Sequence, residues 1–179
     1  MRVIGLAGWS GAGKTTLIAR LLPEIIQRGY TVSTIKHAHH RFDVDYPGKD
    51  SYVHRTAGAR EVLVASGERF ALMHELRGAP EPDLRHLLGL LSPVDLVVIE
   101  GYKPEPLAKI EVHRADNGKN FIYPDDPTIV AVATDCREQV LSLPTYDLSD
   151  AEGVADCVLA HAMPLTVLIE RLAGATQGM

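Results

Sequence analysis

The chain has 179 residues, 46% of them hydrophobic, and a formal net charge of −5. This composition excludes an extensively disordered protein, and the length predicts one domain over residues 1–179. The negative charge argues against general binding to nucleic acid or to an acidic membrane, and no apolar stretch reaches the roughly 18 residues of a membrane span. Two widely spaced cysteines and the absence of a secretory signal pattern lead us to expect a cytoplasmic protein.

A glycine-rich loop near the N-terminus is the first functional motif. Residues 8–15 read G-W-S-G-A-G-K-T, which matches the phosphate-binding pattern G-x-x-x-x-G-K-[ST]. The apolar residues 2–7 predict a buried strand before the loop, and residues 14–28 predict a helix after it, which Pro23 should kink or weaken. These flanks favour a phosphate site over a simple glycine turn with a solvated lysine.

The positions of this loop have defined roles toward a nucleotide. Glycines let successive backbone N–H groups point at phosphate oxygens, and the helix N-terminus adds unpaired donors and partial positive charge. We expect Lys14 to reach the β- and γ-phosphates and Thr15 to bind Mg²⁺ through its hydroxyl. The expected nucleotide-binding residues of the loop are Gly11, Ala12, Gly13, Lys14, Thr15 and Thr16.

The remainder of the chain alternates between predicted strands and helices. Residues 94–100 form an apolar run that ends in an acid, which is typical of a strand buried on both faces. Further strands are predicted at 31–35, 61–65, 69–73, 109–113 and 128–133, and further helices at 51–58, 82–91, 150–162 and 164–173. This order predicts an α/β, three-layer P-loop NTPase fold with a mainly parallel central sheet.

The acid that ends the 94–100 strand is the second functional candidate. Ligands of such folds bind beyond the carboxyl ends of the strands, where Glu100 lies. Asp95 stands five residues earlier, roughly 16 Å away at about 3.3 Å per strand residue, and belongs to the opposite rim. We expect Glu100 to contact Mg²⁺ together with Thr15, or a water beside the phosphate. A solvated acid at a strand end is the alternative.

A polar segment follows a strand that ends on the same side of the sheet. It spans residues 36–51 and reads K-H-A-H-H-R-F-D-V-D-Y-P-G-K-D-S. Asp43 and Asp45 can hold Mg²⁺ or orient an attacking water, and Lys36 or Lys49 can meet a phosphate. This predicts a nucleotide-dependent switch loop, with a mobile polar loop as the alternative. The catalytic candidates are thus Lys14, Glu100 and Asp45, and the metal candidates are Thr15, Glu100 and Asp43.

Three histidines of the same segment, His37, His39 and His40, raise the question of a transition-metal site. Neutral imidazole suits Zn²⁺ and Ni²⁺. Only His37 and His39, however, have the i, i+2 spacing that paired ligands on a strand require. A transition-metal site is therefore the weaker interpretation of this segment.

Four segments together carry a resemblance to a known family. They are G-W-S-G-A-G-K-T-T-L at the glycine loop, the 36–51 segment followed by A-G-A at 57–59, V-V-I-E-G-Y-K at 97–103, and K-I-E-V-H-R at 109–114. Over roughly residues 2–135 the chain resembles the molybdopterin-guanine dinucleotide biosynthesis adapter family, MobB. The resemblance implies a GTP-binding protein with weak hydrolysis, which assists the guanylyltransferase MobA in attaching GMP to the molybdenum–pterin cofactor.

The resemblance also assigns ligands and residues. It implies GTP and Mg²⁺ as ligands and a homodimer as the assembly, and it leaves open a direct contact with molybdopterin. Carried over by position, Glu100 takes the place of the family's acid after the second apolar run, and Asp43 and Asp45 occupy its metal- and switch-like positions. The GTP contacts that it implies are Gly11, Gly13, Lys14, Thr15 and Thr16.

Guanine selectivity has no familiar motif in this chain. The sequence lacks [NT]-K-x-D, in which an Asp carboxylate accepts hydrogen bonds from the guanine N1–H and amino group. The nearest substitute is A-T-D at 133–135, which makes Asp135 the candidate base-reading residue and a turn cap its alternative role. The motifs alone predict a nucleoside triphosphate, and the resemblance predicts guanine.

The resemblance implies that hydrolysis is slow. No clear arginine finger stands in the sequence, and Arg41 and Arg55 are the nearest candidates. The leading hypothesis is a cytoplasmic Mg²⁺–GTP-binding adapter that is a weak GTPase at most. A small-molecule kinase with the 36–50 loop as acceptor site, a metallochaperone-type maturation GTPase with the histidines as ligands, and a binding module that never hydrolyses remain alternatives.

Overall fold

The computed structural model describes residues 1–38, 42–136 and 142–175. The chain divides into two compact units, one formed by Met1–His37 and Leu84–Met179 and the other by Ala38–Asp83. The single domain expected from the length stays a prediction, because a compact unit is not by itself an independently folding domain.

Within the described residues, the first unit contains a seven-stranded sheet with helices around it, and the second contains one helix and a two-stranded sheet. The elements of the first unit are β1 (Arg2–Ala7), α1 (Lys14–Gln27), β2 (Val32–Lys36), α3 (Leu84–Gly89), β5 (Leu96–Glu100), β6 (Lys109–His113), β7 (Ile129–Thr134), β8 (Thr145–Asp147), α4 (Ala151–His161), β9 (Met163–Pro164) and α5 (Leu165–Ala175). Those of the second unit are α2 (Asp50–Thr56), β3 (Glu61–Ala65) and β4 (Phe70–His74).

The large sheet has the strand order β2-β5-β1-β6-β7-β8. All neighbours on this path run parallel, and only β9 pairs antiparallel, with the first residues of β1. The predicted α/β P-loop NTPase fold with a mainly parallel central sheet is thereby confirmed. Because parallel strands end at the same edge, the segments that follow β1, β5, β2, β6 and β7 all leave the sheet on one side.

Alternating side chains of the central strands form two cores, one on each face of the sheet. Ile4 and Leu6 of β1 pack with the buried leucines of α1 and with α4, while Val3 packs with α3 and α5 on the other face. Helices therefore cover both faces of the sheet, as the continuous apolar strands predict. No helix in the described parts of the chain is both long and apolar enough to cross a membrane.

Several element boundaries differ from the sequence prediction. The helix expected at 82–91 is confined to Leu84–Gly89, and α1 runs on past Pro23 to Gln27. The sequence prediction missed β8 and β9, which have three and two residues and are too short to show a pattern. The strand pair expected at 61–65 and 69–73 is confirmed as the antiparallel β3–β4 sheet.

A buried lysine ties β6 to the loops around it. Lys109 is 1% exposed, and its ammonium donates to Asp126 Oδ2 at 2.9 Å, Thr128 Oγ1 at 2.7 Å and the Lys103 carbonyl at 2.7 Å. Gly5 stands beside it on β1, and a Cβ there would lie 2.9 Å from Lys109 Cγ. The missing side chain in mid-strand thus makes room for the lysine stem, and the lysine in turn holds the segment after β5.

Replacement of Lys109 by Met should destabilise the protein by about 2–4 kcal/mol, because the apolar chain leaves the Asp126 carboxylate without its ammonium partner. Urea unfolding followed by circular dichroism measures this change. The exposed Lys119→Met variant is the control and should shift the midpoint little. Equal midpoints for the two variants would contradict the assigned role of Lys109.

Candidate functional site

The glycine loop joins β1 to α1 at the carboxyl edge of the sheet. Gly13 precedes the helix with φ of 95°, a conformation that residues with a Cβ rarely adopt. The helix begins at Lys14, so the N–H groups of its first turn have no carbonyl one turn earlier to receive them. Within the loop the Ala12 amide donates to the Trp9 carbonyl at 3.2 Å. The N–H groups at the helix start are therefore available to an anion.

The Lys14 side chain folds back over the loop. Its ammonium donates to the carbonyl oxygens of Gly8 at 2.9 Å and Trp9 at 3.0 Å. Burial lowers the pKa of Lys14, the nearby Glu100 carboxylate opposes this, and the ammonium groups of Lys103 and Lys36 lower it further. A phosphate placed beside Lys14 would offset both effects, because an adjacent anion favours the charged ammonium.

Thr15, Glu100 and Lys36 converge beside the start of α1. Glu100 is 8% exposed, and the Thr15 hydroxyl lies 3.3 Å from its Oε1 and 3.4 Å from its Oε2. The Lys36 ammonium lies 3.5 Å from Glu100 Oε1 and 3.3 Å from Thr15 Oγ1. Parallel pairing places Lys36 opposite Glu100, and Glu100 opposite Leu6, which explains why residues so distant in sequence meet.

Asp95 lies at the other edge, as the sequence predicts. It precedes β5, and its carboxylate accepts from the Thr31 hydroxyl at 2.6 Å and the Thr31 amide at 2.8 Å. These hydrogen bonds lower the pKa of Asp95. Asp95 therefore joins the amino ends of β2 and β5 and takes no part in the site at their carboxyl ends.

On the side away from Lys36, the segment that follows β6 contacts the glycine loop. Arg114 lies against Gly13, where a Cβ would be 3.1 Å from its Nη2. Asn117 donates from Nδ2 to the Ser10 carbonyl at 3.1 Å. Asp135, which follows β7, accepts from the Ala115 amide at 2.8 Å and lies 3.6 Å from Arg114 Nη1. The predicted base-reading residue therefore contacts the short turn after β6 and a basic side chain beside the loop.

An aromatic residue and a third lysine complete the rim of the loop. The Lys103 ammonium lies 4.1 Å from the centre of the Trp9 ring, whose Nε1 donates to the Asn120 carbonyl at 2.9 Å. Burial lowers the pKa of Lys103, and the Glu111 carboxylate opposes that shift. The ammonium groups of Lys14, Lys36 and Lys103 thus gather at an edge where Glu100 is the carboxylate in closest contact. This balance of charge favours an anion.

The two acids expected in a switch loop lie in the second unit and bind an arginine there. Arg55 Nη2 donates to Asp43 Oδ2 at 2.7 Å, its Nε lies 3.8 Å from Asp45 Oδ2, and its Nη1 lies 3.4 Å from Glu75 Oε1. The hydrogen bond from Arg55 lowers the pKa of Asp43. Asp45 also accepts from the Ser51 hydroxyl at 3.0 Å. In this structure, Arg55 is held by carboxylates of its own unit, and the roles predicted for Asp43 and Asp45 stay predictions.

The other sequence candidates contribute less to the site. His39, His40 and Arg41 lie outside the described residues, and those described contain no group of three His, Cys, Asp or Glu side chains able to hold a metal. Thr16 is exposed in the first turn of α1, and Lys49 precedes α2 in the second unit. Sequence reasoning missed Lys103, Arg114 and Asn117. Their one sequence signal is that each follows a predicted strand that ends on the ligand side.

Comparison with known proteins identifies the family. The sequence model of molybdopterin guanine dinucleotide synthesis protein B, MobB, matches residues 3–135. The molybdopterin-guanine dinucleotide biosynthesis adapter protein of Escherichia coli K12 is 42% identical over 162 residues, which are 88% of this chain and 91% of the relative. The protein of the same description from Haemophilus influenzae is 43% identical over 135 residues, 74% of each chain.

Solved structures agree with the fold. The crystal structure of Bacillus subtilis MobB matches with a TM-score of 0.71 at 24% identity, covering 90% of this chain and 98% of that one. A crystal structure of molybdopterin-guanine biosynthesis protein B matches with a TM-score of 0.69 at 26% identity, covering 88% and 98%. With the family match spanning most of the sequence, this chain belongs to the MobB family.

Proposed function

We propose that this protein is a Mg²⁺-dependent GTP-binding adapter with weak GTPase activity, which assists GMP attachment in molybdopterin guanine dinucleotide biosynthesis. The adapter role is supported by the family and by the description of two relatives that are more than 40% identical to this chain over the aligned residues. The observation that carries the nucleotide assignment is the convergence of Lys14, Lys36 and Lys103 on a glycine loop at a helix N-terminus.

The phosphate chain is proposed to lie over the start of α1. The first-turn amides and the Lys14 ammonium supply donors, and they are held by the loop before any ligand arrives. Thr15 and Glu100 are already within 3.4 Å of one another, which suits a small cation that keeps most of its waters and takes one or two protein ligands. The residues present therefore fit Mg²⁺, which would neutralise charge on the β- and γ-phosphates.

The nucleoside is proposed to extend toward Arg114, Asn117 and Asp135. Thr15, Glu100 and Lys36 mark the metal end of the phosphate chain on the β5 side, so the base is left with the β6 and β7 side. Asp135 can accept from the guanine N1–H and 2-amino groups if it exchanges the Ala115 amide for them. Arg114 supplies a planar cation next to the loop, where it can stack on a base or meet the α-phosphate.

Hydrolysis is proposed to depend on positioning rather than on a strong base. Lys14 and the loop amides stabilise charge on the phosphates, and the Glu100 carboxylate can orient water beside them. Asp43 and Asp45 remain the candidate metal and catalytic residues of the second unit, and their ion pairs with Arg55 would have to open first. Such a requirement fits a slow reaction.

The proposed partners are the guanylyltransferase MobA and a second copy of this chain. The second unit carries exposed apolar side chains on its two-stranded sheet, which can support association; they include Leu63, Val64, Phe70 and Leu72. A direct contact with molybdopterin is left open.

Cys136 and Cys157 are both free thiols, which supports the proposal of a reducing cytoplasm.

Replacement of Lys14 by Ala should lower GTP affinity by at least about 100-fold, because the ammonium makes charge-assisted hydrogen bonds to the phosphates. Isothermal titration calorimetry in the presence of Mg²⁺ measures the change. Lys119→Ala, which removes an exposed lysine outside the loop, is the matched control and should bind as the wild type does. Retained GTP affinity in the Lys14 variant would refute the phosphate site.

Replacement of Glu100 by Gln should leave GTP binding within a few-fold of the wild type and slow hydrolysis at least about tenfold, because the amide orients water less well. Phosphate release under single-turnover conditions separates the two effects. Glu170→Gln, an exposed substitution on α5, is the control. An unchanged rate in the Glu100 variant would move the role to Asp43 or Asp45.

Replacement of Asp135 by Asn should shift base selectivity from guanine toward xanthine by at least about tenfold. A carboxylate accepts from both donors of guanine, whereas an amide offers one acceptor and one donor and so matches the carbonyl that xanthine carries in place of the amino group. Competition between GTP and xanthosine triphosphate measures the ratio, with exposed Asp116→Asn as the control. An unshifted ratio would assign Asp135 to capping alone.

A further inference from the structure

Lys36 is a charged residue of the site to which the glycine-loop motif gives no role. It is the last residue of β2, and pairing with β5 holds its backbone opposite Glu100. Its ammonium lies 3.5 Å from Glu100 Oε1 and 3.3 Å from Thr15 Oγ1. Of the residues that the structure describes, Lys36 alone places a positive group within ion-pair distance of the Glu100 carboxylate.

The position of Lys36 corresponds to one end of the proposed phosphate chain. In phosphate loops the threonine after the lysine binds the metal ion that bridges the β- and γ-phosphates. An ammonium 3.3 Å from Thr15 Oγ1 is therefore at the γ-phosphate end of the chain. Arg114 and Asn117 contact the opposite side of the glycine loop. The Lys36 side chain is 59% exposed, so its ammonium can turn on the flexible stem without moving β2.

Charge repulsion gives the direction of that turn. A divalent cation held by Thr15 and Glu100 would lie within a few ångströms of the present ammonium, and two cations at that separation repel each other. A metal ion held by Thr15 and Glu100 would therefore separate Lys36 from Glu100. A terminal phosphate at this end is then the nearest anion for Lys36, and a diphosphate has no phosphate there.

We propose that Lys36 binds the γ-phosphate and makes the site distinguish a nucleoside triphosphate from a diphosphate. This inference rests on the proposed nucleotide binding and gives a residue of the same site a role in specificity. In this structure the Lys36 ammonium pairs with the nearly buried Glu100, and in a triphosphate complex it would pair with the γ-phosphate instead. The position of the Lys36 side chain, and not that of β2, would therefore differ between the two nucleotide complexes.

The test is the ratio of the GDP dissociation constant to the GTP dissociation constant, measured by calorimetry with Mg²⁺ present. We expect Lys36→Met to lower this ratio at least about tenfold, because one charge-assisted hydrogen bond is lost from the triphosphate complex alone. Lys36→Arg keeps the charge and should stay within about threefold of the wild type. Lys119→Met, an exposed substitution outside the site, should leave the ratio unchanged.

The ratio separates this role from a merely structural one. Loss of the ion pair with Glu100 would alter metal binding and would therefore change the GTP and GDP affinities together. An equal change in the two affinities overturns the inference and leaves the proposed function intact. A wild-type ratio near one overturns it as well. A wild-type chain that binds neither nucleotide overturns both proposals. Thermal unfolding without nucleotide checks that Lys36→Met is folded, and Lys36→Gln replaces it if the Met variant is not.

Discussion

Parallel pairing of β2, β5, β1 and β6 is the constraint on which the site depends. It aligns the last residues of these strands, so that Lys36, Glu100 and the glycine loop meet although they are far apart in sequence. The same alignment brings Arg114 against Gly13 from the β6 side. A shift of one residue in the register would turn Lys36 or Glu100 to the other face of the sheet and separate them.

The site has more positive than negative charge at close range, and this shapes its chemistry. Glu100 is nearly buried, and the Thr15 hydroxyl and Lys36 ammonium provide the contacts that keep it satisfied. Lys14 and Lys103 both lose solvent, which lowers their pKa values and makes an added anion favourable. Buried Lys109 bonds the Lys103 carbonyl and so links the core of the sheet to this rim. The sheet itself thus positions the charged groups on which the proposed phosphate site depends.

The sequence prediction was most accurate where a local pattern carries the information. The glycine loop, the buried strand ending in Glu100 and the β3–β4 pair were predicted because their spacing and apolar content are local properties. Arg114 and Asn117 were not found, because their importance comes from contact with a loop about a hundred residues away. The pairing of Asp43 and Asp45 with Arg55 also needs a folded unit, since a lone acid in a loop gives no sign of its partner.

The sequence by itself determined the fold class and the phosphate-loop motif, because apolar periodicity and glycine spacing act over a few residues. The family follows from the same linear information. Only the tertiary structure decided which cation accompanies Glu100, where Asp135 is held, and why a lysine is buried in β6. These are properties of side chains brought together by strand register and burial, and neither quantity can be read from residues taken one segment at a time.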